Sequence, residues 1–404
     1  MPDLPAPTLH REGDDLIFTW EQAGISIEVR DMTLGRDGPR AEVWARQVVG
    51  GHLHCGMLNL LSTSSKAGFI KAVLGRDSGS NWADAIEQVG VMATEVYRKG
   101  DPLEVLEPRR RPDAGRYAIS PLAPLGQPTL WFGDGKTLKS YVLLASCLAM
   151  SGSTTLAGME TTALRPALLD WEWDRAEHED RLLRLGGDAG DVYYRHCKAP
   201  LYEQIRPLCR ELDRAGIDII GVDSLGFAAG GDPSDPEVAL RFFGALRALE
   251  RTAIVTHHIP KETKEPFGSV YIRNSARAGW LFQRSAVIGE NQAVVAIRHK
   301  WTNTGHLEQP IGLAFAFDEL AHTTTVARTD ARDVAMLAEG LSGPEKCWLA
   351  LEKPMSTSDL AELTGLKPDT VTKACDRHKG IMKVGHDGHQ AMYARCSERE
   401  DPNT

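Results

Sequence analysis

Pro128-Thr-Leu-Trp-Phe-Gly-Asp-Gly-Lys-Thr-Leu-Lys-Ser-Tyr-Val-Leu-Leu-Ala-Ser-Cys-Leu-Ala-Met150 places an apolar β-type run, a glycine-bearing turn and a helix-forming run in that order. Pro128 to Phe132 reads as a strand, Lys139 to Met150 as a helix, and Gly133-Asp134-Gly135-Lys136-Thr137-Leu138 joins them. Such a turn is a phosphate cradle: backbone N–H groups and the helix N-terminus face the anion, a lysine neutralises it, and a hydroxyl holds Mg²⁺. In this frame Gly133 opens the loop, Lys139 and Ser140 close it, and the binding stretch runs from Gly133 to Tyr141. A second frame, Gly135-Lys136-Thr137, lacks the upstream glycine and lies further from the helix, so Lys139 is preferred to Lys136.

Downstream, three more strand ends carry chemistry. Arg165-Pro-Ala-Leu-Leu-Asp170 runs into Trp171-Glu172-Trp173-Asp174, an acidic cluster at the strand edge where α/β sheets place their ligands. Ile217 to Val222 is an apolar strand ending in Asp223-Ser224, and an aspartate there can hold Mg²⁺ opposite Ser140. Ala253-Ile-Val-Thr256 ends in His257-His258, at the level of a γ-phosphate. Together the four features point to a nucleotide site that binds ATP with Mg²⁺. From about 116 to 330 short β-rich runs alternate with helical segments, the pattern of an α/β fold with a mainly parallel sheet covered on both faces.

The flanks read differently. Residues 8 to 62 alternate apolar and polar in the runs LIFTW, ISIEVR, AEVWARQVV and LNLLS, which predicts a small antiparallel sheet. A helix follows from Asn81-Trp82 to Gly100, and Glu107 to Gly115 is a charged, proline-bounded linker. His52, His54 and Cys55 lie close together, and a strand would put both histidines on one face, but no further ligand cluster follows and polar residues at a strand end are the preferred reading. At the far end, Ser356 to Gly365 reads as a capped helix, Pro368 to Gly380 as a second, and Ile381–Gly385 with Gln390–Ala394 as a hairpin. The expected domains are 1–112 (small, α+β), 113–330 (the sheet core) and 331–404 (the C-terminal block with a short tail).

Composition limits the partners. The 404 residues are 42% hydrophobic and 25% charged, which excludes wholesale disorder and fibrous repeats. Lys and Arg number 46 against 55 Asp and Glu, a charge of -9, so nucleic acid must be held by a local patch and not by a general positive coat. The first fifteen residues have neither an apolar run nor a cationic leader, and Tyr141 to Met150, the longest apolar stretch, is too short to span a bilayer. With seven scattered cysteines and no CxxC pair, reduced thiols in a cytoplasmic protein are expected, without a membrane partner.

The motif order GDGKTLKS, LLDWEWD, IDIIGVDS, TAIVTHHIPK, GSVYIRNSARAGW and RHKWTNTG resembles the RecA-like ATPases of the RepA type, ring-shaped replicative helicases common on plasmids and phages, from about Ile119 to Phe317. The leading β-rich segment is similar to that of phage-encoded members, and the C-terminal block resembles a winged helix domain. The resemblance implies that Glu172 polarises the attacking water, with Asp170 and Asp174 as rivals, that Asp223 is the Walker B aspartate, and that His257 or His258 senses the γ-phosphate. It places basic residues of the last region across a subunit interface, where Arg277, Arg298 and Lys300 are candidates to complete a neighbour's site. Arg273 and Arg277, four apart, are expected on one face of a helix. Leu138 stands where the family has glycine, which predicts slow hydrolysis or weak nucleotide affinity.

The leading function is an ATPase that forms a ring, a hexamer by the resemblance, and moves on DNA as a replicative helicase or translocase of a mobile element. Lys261, Lys264 and Arg273 are candidates to face single-stranded DNA in a central channel, and Lys373 and Arg377 to meet DNA from the second C-terminal helix. Residues 341 to 404 hold nine basic and ten acidic side chains, so docking a protein partner, such as a replication component, is the close rival there, as it is for the N-terminal domain. Two other functions compete: a nucleotide-switched DNA-binding loader or regulator that never separates strands, and a recombination mediator forming filaments on single strands.

Overall fold

The computed structural model describes all residues except 1–2, 101–102, 104, 109–115, 173, 260–264, 287–290, 304, 330–341, 352, 389 and 397–404. The chain divides into two compact units, Met1–Arg110 and Arg111–Thr404. Most of the expected linker, the expected boundary at 330/331 and the candidates Lys261 and Lys264 lie outside the described residues.

In the first unit the apolar-polar alternation builds five strands, β1 (Thr8–Glu12), β2 (Asp15–Trp20), β3 (Ile25–Gly35), β4 (Gly38–Gln47) and β5 (Gly51–Asn59), paired antiparallel in chain order. Their inward residues, among them Phe18, Ile27, Val29, Val43 and Leu58, pack on α1 (Thr63–Leu74) and α2 (Trp82–Lys99). Asn81 caps α2, its side chain accepting the Asp84 N–H, and Gly100 ends it, as the sequence predicts. Two expectations need correction. The last strand precedes LNLLS for most of its length, because Ser62 caps α1 and leaves Leu60 to plug the core. His52 and His54 do not share a face: a bulge opposite Ala45/Arg46 turns His52 against Trp44 (5.2 Å between centroids) and His54 against Phe69 (4.8 Å). Among the described residues no group of three His, Cys, Asp or Glu side chains is placed to hold a metal ion.

The second unit is built on a nine-stranded sheet. Its strands are β8 (Pro128–Gly133), β9 (Pro166–Asp170), β10 (Tyr193–His196), β11 (Ile219–Asp223), β12 (Thr252–His258), β13 (Ala278–Ala286), β14 (Gln292–Thr302), β15 (Ile311–Asp318) and β16 (Thr323–Thr329). Two short strands, β6 (Tyr117–Ile119) and β7 (Ala123–Pro124), form a separate pair ahead of it. The sheet order is β10-β9-β11-β12-β8-β13-β14-β15-β16; β10 through β13 run parallel, and β14 to β16 extend the sheet antiparallel. Alternate residues serve opposite faces. Leu130 and Phe132 pack with α5 (Ile205–Ala215), α6 (Leu225–Ala228) and α7 (Pro236–Ala248), while Trp131 packs with α3 (Lys139–Ser151). Full burial of a ring such as Trp131 or Phe282 contributes about 2–3 kcal/mol each, and covering both faces explains why the strands read as continuous apolar runs. The remaining helices here are α4 (Arg175–Arg184) and α8 (Val270–Ser275).

The C-terminal block has its own small core of Cys347, Leu351, Leu360, Val371, Ala374, Cys375, Ile381 and Tyr393. It comprises α9 (Gly343–Ala350), β17 (Met355–Ser356), α10 (Thr357–Thr364), α11 (Pro368–Arg377), β18 (Ile381–Asp387) and β19 (Gln390–Arg395), with sheet order β17-β19-β18. A Ser356–Asp359 capping box starts α10 and a left-handed Gly365 (φ 66°) ends it. The second helix stops at Arg377, three residues before the expected Gly380, so Lys379 falls in the turn beyond it. Among the described residues no helix is long and apolar enough to cross a membrane, and all seven cysteines are free thiols.

Candidate functional site

The site lies along the edge of the sheet where β8, β9, β11 and β12 end. Register brings the motifs together: His257 pairs with Phe132, His258 with Gly133, and Asp223 with Asp170. Gly133 has to be glycine, since a Cβ there would stand 2.3 Å from the Phe282 carbonyl oxygen on β13.

The loop wraps its lysine. Lys139, 6% exposed, donates from Nζ to the carbonyl oxygens of Gly133 (3.0 Å) and Asp134 (2.8 Å) and to Thr137 Oγ1 (3.1 Å). Burial pushes its pKa down to about 8, against the opposing pull of Asp223, Glu172 and Asp134. Lys136 is exposed, with its carbonyl accepting from Arg284 Nη1 at 3.2 Å, so of the two lysines Lys139 is the one aimed into the loop. The N-cap of α3 is Leu138, which supplies no side-chain hydrogen bond and leaves the N–H groups of the first turn available to an anion. Leu138 sits at φ 61°, ψ 19°, the left-handed region, which explains why glycine suits this position. Tyr141 turns away from the loop: its hydroxyl bonds Thr324 (2.8 Å) and its ring packs on Phe315 and Phe317, so only its backbone can face phosphate.

The carboxylates differ sharply. Asp223 is buried at the end of β11; Oδ1 accepts from Thr256 Oγ1, and Oδ2 is buried with no hydrogen-bond partner among the described residues. Burial pushes its pKa up, partly offset by the Ser140 and Thr256 hydroxyls. An orphaned carboxylate oxygen beside the Ser140 hydroxyl is what a hard divalent cation takes up, so Ser140 and Asp223 fit Mg²⁺. Glu172, on the turn after β9, accepts at Oε1 from Ser224 Oγ and from His258 Nε2 (3.3 Å). Burial raises its pKa, but the His258 and Ser224 bonds outweigh that and hold the carboxyl below its ordinary value. The rivals are committed elsewhere: Asp170 is wholly buried and holds His178, Tyr194 and the Glu172 N–H, while Asp174 caps α4 through the Glu177 N–H. His257 is buried, bonded to the Phe267 carbonyl (2.7 Å), and driven by burial down to about 4. His258, half exposed, is the histidine that reaches Glu172.

Ser224, Thr256 and Arg284 belong to this site and were not among the expected residues. Ser224 and Thr256 each adjoin a predicted residue, which is the one signal available; nothing in the sequence around Arg284 points to the loop it meets.

The basic candidates are scattered. Arg273 and Arg277 do not share a helix face: α8 ends at Ser275, and Arg277 enters β13 with its N–H on the Pro128 carbonyl (2.9 Å). Arg273 stands over the Trp301 ring (5.2 Å) and 3.6 Å from Glu265, which also lies 3.6 Å from Lys300. Arg298 is buried within β14.

Residues 100–264 match the AAA domain family. That stretch carries the loop, Glu172, Asp223 and both histidines, so this part of the chain is a P-loop ATPase domain, a nucleotide-binding hydrolase. The ATPase domain also has the coarse build expected of a RecA-like core, with a largely parallel sheet and the loop following β8. A comparison with curated proteins found no match. Among solved structures, a KaiC-like protein of the hyperthermophilic archaeon Pyrococcus horikoshii OT3 is similar over 54% of this chain and 99% of that one, at 17% identity and a TM-score of 0.38.

Proposed function

We propose that the protein is an ATP-hydrolysing ring ATPase acting on DNA, a replicative helicase or translocase of the RepA type. The observation that carries the hydrolytic part is the grouping of Lys139, Ser140, Asp223 and Glu172 at one sheet edge, with Glu172 kept ionised beside His258. Lys139 and the N-terminus of α3 bind the β- and γ-phosphates, and Ser140 and Asp223 would hold Mg²⁺, which neutralises charge on the transferring phosphoryl group when bound. Glu172 orients water and accepts its proton, and a low pKa keeps it in the basic form at neutral pH. His258, bonded to Glu172 and level with Gly133, is the better γ-phosphate sensor of the pair.

Action on DNA is supported by the motif order and by the C-terminal block, whose consecutive helices and hairpin suit a winged helix with Lys373 and Arg377 exposed on α11. Arg277 and Lys300 remain the candidates to reach a neighbour's nucleotide, Arg298 being buried within β14, and ring assembly, a hexamer by the resemblance, rests on the same likeness. Leu138 in the loop and the overall acidic balance, a charge of -9, favour the second reading, a nucleotide-switched loader.

The test is ATP turnover by the purified chain with and without single-stranded DNA, alongside Lys139→Ala and Glu172→Gln. Turnover stimulated by DNA and lowered about 10²–10⁴-fold by Glu172→Gln supports a motor. Binding without turnover, indifferent to DNA, sinks it and leaves the switch. In the same series, Lys373→Ala with Arg377→Ala should weaken duplex binding and flatten its salt dependence; unchanged binding removes α11 as a DNA reader.

A further inference from the structure

The acidic turn after β9 contains more buried polar structure than binding ATP requires. Asp170, wholly buried, accepts the Glu172 main-chain N–H at Oδ1 (2.9 Å), and at Oδ2 it holds His178 Nε2 (2.9 Å) and the Tyr194 hydroxyl (3.2 Å). His178 is on α4 and 4% exposed; Tyr194 is on β10, its ring centroid 5.3 Å from the imidazole. The backbone is pinned on both sides as well, by Cys197 N–H on the Asp170 carbonyl (2.7 Å) and by Trp171 N–H on the Asp223 carbonyl (2.7 Å). A wholly buried carboxylate is expensive even when well bonded, and an apolar side chain would cost less at that place. What an apolar side chain cannot do is hold the Glu172 N–H and so fix the direction in which the chain leaves the strand.

We infer that Asp170, His178 and Tyr194 are positioning residues that act through Glu172: together they aim its carboxylate toward the γ-phosphate end of the loop. The inference rests on the ATPase reading given above. His178 and Tyr194 clamp Asp170 Oδ2 from α4 and β10, the carboxylate is held from rotating, and its other oxygen keeps Glu172 turned toward Ser224 and His258. None of the three residues touches nucleotide, so each should affect turnover and leave nucleotide binding nearly untouched.

The test uses the full chain. Tyr194→Phe, which removes one hydroxyl and keeps the ring, should lower kcat about tenfold with KM for ATP within about twofold. Placed on Glu172→Gln, it should lower kcat no further, since the group it aims has gone. His178→Ala opens a space next to a cavity of about 360 Å³ lined by His178, Tyr194, Leu144 and Leu182, so added imidazole should restore kcat in that variant and leave the wild type unchanged. Unaltered kcat in Tyr194→Phe, or a loss that persists at full size on Glu172→Gln, overturns the inference. If Glu172→Gln alone hydrolyses ATP at the wild-type rate, it is the hydrolytic reading of the site that fails. Thermal unfolding of each variant separates a shifted kcat from a misfolded chain.

Discussion

Leu138 offers a reversal of an ordinary preference. In the interior of a helix alanine is more stable than glycine by about 0.5–1 kcal/mol, because glycine loses more backbone freedom on folding. Leu138 sits at φ 61°, ψ 19°, where a side chain costs roughly 1–2 kcal/mol that glycine avoids. Replacing it by alanine or by glycine removes the same contact with the core beneath α3, so that loss cancels in the comparison. The strain relieved, less the extra entropy of glycine in the unfolded chain, leaves Leu138→Gly more stable than Leu138→Ala by about 0.5–1 kcal/mol. For a domain of this size that is about 1–4 °C in Tm. Wild type should exceed both, since only it keeps the leucine packed. Thermal unfolding of the three proteins without nucleotide reads the order directly, and an alanine variant equal to or above the glycine variant refutes the left-handed assignment.

Two further outcomes follow from the same loop. With a pKa near 8 in the free site, Lys139 is protonated below pH 8 and loses its charge above it, while phosphate favours the charged form. Nucleotide binding therefore takes up a proton above pH 8, and affinity should fall up to tenfold per pH unit there; Lys139→Arg should flatten the profile, and titration calorimetry across that range showing no slope in wild type refutes the depressed pKa. Gly133→Ala drives a methyl group into the Phe282 carbonyl at 2.3 Å and should destabilise the ATPase domain by about 3 kcal/mol or leave it insoluble; a variant melting with wild type excludes that close approach.

The phosphate loop was legible because it is contiguous: Gly133 to Ser140 is one turn, and its chemistry follows from spacing along the chain. The choice of Glu172 over Asp170 and Asp174 had no such support. All three are acids within five residues, and only the fold commits Asp170 to the interior and Asp174 to a helix cap. Arg273 and Arg277 show the same limit, since spacing of four implies a shared face only while the helix continues, and α8 ends first. The histidines of β5 failed likewise, because one bulge reverses every face beyond it.

By itself, then, the sequence determined which strand ends carry carboxylates, histidines or a glycine turn, because apolar runs closing on such residues are local facts. It also determined the capped helices and the antiparallel N-terminal sheet, whose periodicities are set by backbone geometry. The order of strands in the sheet was decided only in three dimensions, where β12 lies between β11 and β8 and so sets His258 and Thr256 beside residues more than thirty positions away. The same holds for Arg284 on the loop and for the His178 and Tyr194 clamp on Asp170. Pairings of this kind depend on which surfaces bury the most apolar area together, a property of the whole chain that no window of sequence contains.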